Sequence, residues 1–260
     1  MFSGIDIGSV TAKAVIVNEK GEILAFTLMP TSYDHQKSGE SVLQLALKKI
    51  QKSRGDIKYI VSTGYGRRAF ASSDKVLPEI VCHAKGTKLL FPTVRTIIDI
   101  GGQDSKVIEL DEECRVSKFE MNDKCAAGTG RFLEVLTEKI LNVPLEGLGS
   151  LSLKCKSPCI LSSVCTVFAE SEIISLLSEK RAKKDIAYGM HKAIAKRVIS
   201  MGTTGLISYR EPTVFSGGVA RNIGVVKAIE DELGKKVITP KEPQITAALG
   251  AALFAKEHSE

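Results

Sequence analysis

Tryptophan is absent from this chain of 260 residues, and aromatic residues make up only 5% of it. The net charge of +6 would fit a protein that binds nucleic acid, but the lysines and arginines are dispersed and few aromatic side chains accompany them. The densest basic run, at residues 180–184, is typical of a solvated helix face. We therefore predict no nucleic-acid partner and regard an acidic protein as the better alternative for the basic surface.

Long apolar runs are also missing, because no stretch reaches the roughly 18 residues that a membrane-spanning helix needs. The chain starts with a strand-like segment and has no charged region followed by an apolar one, so we expect no removable signal. Two common phosphate motifs are absent as well: the G-x-x-x-x-G-K-[ST] of P-loop enzymes and, after the first strand, the G-x-G-x-x-G of dinucleotide folds. These absences predict a cytoplasmic protein that does not enter the membrane, and they exclude these two kinds of phosphate site.

Hydrophobic residues make up 43% of the chain, which is enough for a sizeable core. Apolar spacing predicts strands at residues 2–7, 12–17, 22–29, 58–62, 95–100, 213–216 and 236–239. Helices are predicted at residues 39–53, 74–90, 131–141, 168–178, 187–201, 222–233 and 244–256, with a kink or restart at Pro78. Strands and helices that alternate in this way predict an α/β fold.

One short sequence occurs twice. Ile5-Asp6-Ile7-Gly8 recurs as Ile98-Asp99-Ile100-Gly101, and the match continues without a gap, so that Lys13 corresponds to Lys106. Each lysine stands just before an apolar strand, so one strand–turn–strand unit is present in two copies. Repeats are a strong guide to architecture, and this one predicts two similar α/β domains that face a cleft.

The aspartates of the repeat are placed for phosphate chemistry. Asp6 and Asp99 each end a buried strand and precede a glycine turn, where backbone N–H groups can approach phosphate oxygens. A carboxylate beside such a turn can hold Mg²⁺ through waters, and two turns that face each other would clasp the β- and γ-phosphates. For either copy alone, an ordinary turn with a capping aspartate is the alternative. A third glycine turn, at residues 216–222, fits either an adenosine contact or a generic strand–helix connection.

These turns resemble the nucleotide motifs of the actin/hexokinase/Hsp70 superfamily. Residues 4–9 resemble its first phosphate motif, residues 99–104 its second, residues 214–222 its adenosine motif, and residues 244–254 its domain-joining helix. The resemblance implies an α/β fold of two RNase H-like domains, with ATP and Mg²⁺ in a cleft between them. We predict a first domain at residues 1–95 and a second at 96–243, with the C-terminal helix at 244–260 packing back on the first.

The same motifs predict site residues. The predicted catalytic residues are Asp6 and Asp99, with Gln103 and Asp104 as candidates to orient the attacking water. The predicted nucleotide-binding residues are Gly8, Ser9, Thr11, Lys13, Gly101, Gly102, Gly128, Gly130, Gly217, Gly218, Asn222 and Gln244.

The chain has six cysteines, and in a cytosolic protein they are expected to be reduced. Cys125 and Cys165 each precede a predicted helix, where the helix dipole and free N–H groups favour a thiolate or a negatively charged cluster. From the residues alone, a buried structural cysteine is the alternative for each. The other four fit packing, an acidic turn, or exposed or structural thiols: Cys82, Cys114, Cys155 and Cys159.

The segments around Cys125 and Cys165 closely resemble the cluster-ligand segments of the activators of 2-hydroxyacyl-CoA dehydratases, a family that includes the ATPase subunits of benzoyl-CoA reductases. Residues 63–67 and 82–84 share in the resemblance. It implies one [4Fe–4S] cluster between two identical subunits, each of which contributes Cys125 and Cys165 as metal ligands. The pair Cys155 and Cys159 departs from the family's pattern.

The function that the resemblance implies is an ATP-dependent reductive activator. ATP hydrolysis would drive an electron from the shared cluster to an iron–sulfur enzyme such as a 2-hydroxyacyl-CoA dehydratase or an aromatic acyl-CoA reductase. A ferredoxin or flavodoxin would supply that electron. A small-molecule kinase of the same superfamily is the alternative, although a kinase has no need of Cys125 and Cys165. An ATP-switched, chaperone-like protein is a third alternative, for which the chain is short and lacks a substrate domain.

Overall fold

The computed structural model describes residues 1–161 and 166–259. The chain forms two compact units. The first comprises Met1–Arg95, Leu110–Ser117 and Pro240–Glu260, and the second comprises Thr96–Glu109 and Lys118–Thr239. The domain boundaries that we predict from the sequence stay a proposal. Within the described residues, no helix is both long and apolar enough to cross a membrane.

The first unit contains a five-stranded sheet. Its strands are β1 (Phe2–Ile7), β2 (Thr11–Val17), β3 (Ile23–Pro30), β4 (Tyr59–Thr63) and β5 (Lys75–Val76). They are arranged in the order β3-β2-β1-β4-β5, with β1 antiparallel to β2 and parallel to β4. The helices of this unit are α1 (His35–Lys49), α2 (Glu79–Leu90) and α8 (Thr246–His258).

Helices cover both faces of this sheet. Ala14 and Ile16 of β2 lie in the core cluster that contains α1, whereas Val15 and Val17 lie in the cluster that contains α8. Because neighbouring residues of a strand point to opposite faces, a sheet covered on both sides needs apolar residues at every position. This explains the continuous apolar run at residues 14–17 of β2.

The second unit contains most of a four-stranded sheet. Its strands are β6 (Thr96–Ile100), β7 (Ser105–Leu110), β8 (Val116–Asn122) and β9 (Thr213–Ser216), in the order β8-β7-β6-β9. Its helices are α3 (Gly130–Val135), which a π-helical turn (Leu136–Leu141) extends, α4 (Leu145–Ser152), α5 (Thr166–Ser178), α6 (Lys183–Thr204) and α7 (Ile223–Leu233). Here too β6 is antiparallel to β7 and parallel to β9.

Three predicted elements differ from the observed ones. The helix predicted at residues 74–90 is a two-residue strand followed by α2, because Pro78 has an extended backbone and the helix begins only after it. The strand predicted at residues 236–239 is reduced to one isolated bridge between Val214 and Ile238. Helix α1 begins at His35, earlier than predicted, because Asp34 accepts a hydrogen bond from Lys37 N and caps it. Helix α4 was not predicted from the sequence.

Candidate functional site

The first candidate site element is the turn between β1 and β2. Asp6 faces Lys13 in the antiparallel register, and Asp6 Oδ2 lies 3.0 Å from Lys13 Nζ. The turn is closed by a hydrogen bond of 3.1 Å from Gly8 N to Thr11 O. Asp6 is buried, while Gly8, Ser9 and Thr11 are half-buried. The turn therefore presents its backbone beside a buried carboxylate–ammonium pair.

The turn between β6 and β7 repeats this geometry. Asp99 faces Lys106, with 3.4 Å between Asp99 Oδ2 and Lys106 Nζ. Gly101 N donates to Asp104 O over 2.9 Å, as Gly8 N does to Thr11 O. The repeat in the sequence is thus a repeat in three dimensions, which includes the strand register, the closing hydrogen bond and the ion pair. Gly102 is half-buried and Gln103 is exposed on the same turn.

The repeat extends to a third strand, which the sequence does not reveal. Strands β4 and β9 pair in parallel with β1 and β6, so that Thr63 faces Asp6 and Ser216 faces Asp99. A glycine follows each of them, and Gly64 and Gly217 have the same φ of +87°, which favours glycine. A Cβ on Gly64 would collide with Asp6 Oδ1. Each aspartate therefore has a lysine on one neighbouring strand and a glycine turn after the other.

The second turn differs from the first in its polar groups. Asp104 stands where the first turn has Thr11, and its Oδ2 lies 2.8 Å from Lys106 Nζ. Ser216 Oγ donates to Asp99 Oδ1 over 2.9 Å. Lys106 and Ser216 are therefore site residues that our sequence analysis missed. For Lys106 the signal was available, because it matches Lys13 in the repeat.

The second turn is bonded to the start of α3. Gly130 N donates to Gly101 O over 2.9 Å, and Arg131 N donates to Gly102 O over 2.8 Å. The loop before this helix contains Cys125, and Asn122 Nδ2 donates to Cys125 O and to Ala127 O. The structure therefore joins the predicted phosphate turn to the segment that carries Cys125.

The other predicted nucleotide-binding residues are divided between the two units. In the second unit, Asn222 caps α7 by accepting from Gly224 N and Val225 N, and its Nδ2 contacts His191 Nε2 at 3.3 Å. Burial lowers the pKa of His191 to about 3. Gly217 and Gly218 precede Asn222, whereas Gln244 lies in the first unit just before α8. Gly128, whose φ is +82°, lies against Arg197 of α6.

Taken separately, the carboxylate of each turn fits a magnesium ion. Mg²⁺ takes oxygen ligands and usually keeps several waters, which suits carboxylates at the ends of strands. Gly64 approaches Asp6 Oδ1 so closely that only a residue without a Cβ fits there. Asp6 in the first unit and Asp99 in the second each supply a carboxylate of the kind that would hold such an ion.

The cysteines differ in exposure. Cys125 is exposed, whereas Cys82, Cys114 and Cys159 are buried, and Cys155 is half-buried. Burial raises the pKa of Cys82 to about 12, and burial together with a hydrogen bond to Asp185 raises that of Cys155 to about 11.

Among the cysteines that the structure describes, the exposed thiol of Cys125 fits best as a ligand to a group held at the surface. Cys165, the second predicted ligand, lies outside the described residues. Within the described residues no three His, Cys, Asp or Glu side chains converge as a metal site.

Residues 3–255 match the model of the BadF/BadG/BcrA/BcrD ATPase family. The chain belongs to this family. It is 46% identical to the 2-hydroxyisocaproyl-CoA dehydratase activator of Clostridioides difficile, over 99% of this chain and 95% of that protein. It is 45% identical to the activator of lactoyl-CoA dehydratase of Anaerotignum propionicum, over 99% and 98%. The predictions of the family and of an ATPase are confirmed.

Solved structures confirm the predicted fold. The activator of the 2-hydroxyisocaproyl-CoA dehydratase from Clostridium difficile, solved with bound ADPNP, superposes with a TM-score of 0.93 at 45% identity and covers 100% of this chain and 96% of that one. A ROK family glucokinase from Streptomyces griseus gives a TM-score of 0.60 at 14% identity, over 98% of each chain, and supports the fold alone. The chain therefore has the mixed α/β fold of the actin/hexokinase type, while the roles of the individual site residues stay predictions.

Proposed function

We propose that this chain is an ATP-dependent reductive activator. It hydrolyses ATP and thereby drives an electron from a [4Fe–4S] cluster, shared by two copies of the chain, to an iron–sulfur enzyme such as a 2-hydroxyacyl-CoA dehydratase. The observation that carries the proposal is the near full-length identity of 46% and 45% to proteins that are named as activators of such dehydratases. The kinase alternative has only a likeness in fold at 14% identity to support it.

In this proposal ATP is held by the repeated turns. Backbone N–H groups of Gly8, Ser9, Gly101 and Gly102 contact the phosphates, and Lys13 neutralises part of their charge. Asp6 and Asp99 hold Mg²⁺ through waters, and Gln103 and Asp104 orient the attacking water. Gly217, Gly218 and Asn222 contact the adenosine part, and Gln244 is a further nucleotide-binding residue. Hydrolysis of this kind needs mainly positioning and neutralisation of charge.

The cluster would be held by Cys125 and Cys165, and it supplies one-electron transfer when it is bound. A cubane takes four thiolates, so two cysteines per chain require a homodimer with the cluster on its two-fold axis. The exposure of Cys125 supports such a position at the surface. The hydrogen bonds from Gly130 and Arg131 to the second turn offer a direct route from the phosphates to the Cys125 loop.

The remaining partners follow from the same proposal. A reduced ferredoxin or flavodoxin in the cytoplasm supplies the electron, and the acceptor is the cluster of the dehydratase. Neither nucleic acid nor membrane takes part.

The test is the iron content after anaerobic purification or reconstitution. The wild type should be brown and hold about four irons per dimer, the content of one cubane. Cys125→Ser and Cys165→Ser should each abolish iron binding, and the double variant Cys155→Ser/Cys159→Ser should keep it. Four irons per chain that are lost in the double variant would contradict the shared cluster. An iron-free wild type that forms ADP only when sugar is added would instead support the kinase.

A further inference from the structure

The second turn holds two carboxylates against one ammonium group. Lys106 Nζ lies 2.8 Å from Asp104 Oδ2 and 3.4 Å from Asp99 Oδ2. At the equivalent place in the first turn, Lys13 has Asp6 as its ion-pair partner within the described residues. Counting these named groups alone, the first turn is formally neutral and the second carries one excess negative charge.

The excess negative charge matters because solvent screens buried charges only weakly. The side chain of Lys106 is only 3% exposed and that of Asp99 only 5%. Two carboxylates that lie close together repel each other, and a cation between them offsets this repulsion. Lys106 supplies such a positive charge to both aspartates.

Asp104 is held from two sides. Its carboxylate folds back over the turn so closely that a Cβ on Gly101 would collide with Asp104 Oδ1. On the other side it accepts the hydrogen bond from Lys106 Nζ. With 27% of its side chain exposed, Asp104 is the partner that can turn toward solvent, whereas Asp99 is fixed by the hydrogen bond from Ser216.

We propose that Lys106 is a positioning residue that makes cation binding at the second turn depend on the nucleotide. Its ammonium group lies where a cation would bind, between the carboxylates of Asp99 and Asp104. A free divalent ion therefore has low affinity for these carboxylates. The negative charge of a bound nucleotide's phosphates can attract the ammonium group away from the carboxylates. Asp104 is then free of Lys106 and can turn toward the water that attacks the phosphate. The inference rests on the proposed ATP hydrolysis, in which Asp104 orients that water.

The experiment measures Mn²⁺ binding to the nucleotide-free protein by electron paramagnetic resonance. Lys106→Met removes the ammonium group from both carboxylates and should bind Mn²⁺ at least about tenfold more tightly than the wild type, since oxygen ligands and charge govern such affinity. Lys106→Arg keeps the charge and should behave as the wild type does. Lys13→Met leaves one carboxylate and should gain no Mn²⁺ site. Lys106→Met/Asp104→Asn should lose the gained site again.

A folded Lys106→Met variant that binds Mn²⁺ no better than the wild type overturns the inference, as does an equal gain in Lys13→Met. If Lys106→Met does not fold, Asp104→Asn tests the inference instead, because it keeps Lys106 and removes the negative charge of the Asp104 carboxylate. The ATP affinity of Asp104→Asn should then depend less on Mg²⁺ than that of the wild type, and an unchanged dependence contradicts the inference. The Mn²⁺ measurement needs neither hydrolysis nor iron, so an inactive or iron-free protein refutes the proposed function without affecting this result.

Discussion

The side-chain nitrogen of Asn222 lies 3.3 Å from Nε2 of His191, in a contact between the start of α7 and the middle of α6. Because Asn222 Oδ1 already accepts from two backbone N–H groups of α7, the amide nitrogen must be the group that faces the ring. His191 therefore accepts at Nε2 and carries its proton on Nδ1. A neutral, buried histidine thus orients a residue of the predicted adenosine turn.

The burial of His191 predicts a loss of stability in acid. The pKa of His191 is about 3 in the folded chain and has its ordinary value of about 6.5 when unfolded. The contribution of His191 to stability is therefore complete above about pH 6.5 and is lost as the pH falls toward about 3. Between these values His191 is protonated in the unfolded chain but stays neutral in the folded chain, which favours unfolding.

Lowering the pH from about 7 to about 5 should therefore reduce the Tm of the wild type more than that of His191→Gln, which has no titrating ring. Thermal unfolding at a series of pH values measures this difference. His258→Gln, at an exposed position, serves as the control and should keep the steep slope. Equal slopes for the wild type and His191→Gln would contradict the prediction.

Gly64→Ala should abolish ATP hydrolysis. The substitution places a Cβ against Asp6 Oδ1 and also forces alanine into a φ of +87°, at a cost of roughly 1–3 kcal/mol in free energy of unfolding. Gly234→Ala is a matched control, because Gly234 has a φ of +65° but no atom within 4 Å of such a Cβ. Gly234→Ala should lose stability through backbone strain and keep its ATPase rate. An active Gly64→Ala variant would refute the role of Asp6.

Asp99→Asn should reduce the Mg²⁺-dependent ATPase rate by roughly 10²-fold or more, the scale on which one electrostatic contact to a transition state is lost. The physical reason is the loss of a buried charge at the end of β6, where the ion would be held. Glu112→Gln, at an exposed position, should leave the rate unchanged. Gel filtration must confirm that the dimer is intact, and an unchanged rate in Asp99→Asn would then remove the assignment of the phosphate site.

Among the cysteines that the structure describes, alkylation of the reduced, iron-free protein should label Cys125 first. Iodoacetamide reacts with exposed thiolates, and Cys125 is exposed. Cys155, with a pKa raised to about 11, should react slowly, and the buried Cys82, with a pKa near 12, should react only after unfolding. Peptide mass spectrometry follows each site over time. Reconstitution with iron and sulfide should protect Cys125, and labelling that reconstitution does not slow would contradict its role as a ligand.

The two phosphate hairpins could be predicted from the sequence because their contacts are local. Asp6 and Lys13 belong to one hairpin, and the strand period of two residues decides which side chains share a face. Because Lys106 matches Lys13 in the repeat, the same arrangement of aspartate and lysine could be predicted for the second hairpin. The apolar spacing likewise predicted a helix at residues 131–141, shortly after Cys125, and the structure has α3 beginning at Gly130.

Contacts between segments far apart in the chain could not be predicted in this way. Ser216 bonds Asp99 across 117 positions, and His191 meets Asn222 across 31. Parallel pairing of β4 with β1 and of β9 with β6 brought Gly64 beside Asp6 and Gly217 beside Ile100. No local period encodes these pairings.

By itself, the sequence therefore determined the α/β class, the duplicated Asp-Ile-Gly turn and the order of the nucleotide motifs, because each depends on short-range spacing. The tertiary structure alone decided which glycine turn lies beside each aspartate. It also decided that, among the described residues, Lys106 contacts the carboxylates of Asp99 and Asp104 while Lys13 contacts that of Asp6. The physical reason is that strands pair where both faces of a sheet can be buried, and that condition is met only when the whole unit has folded.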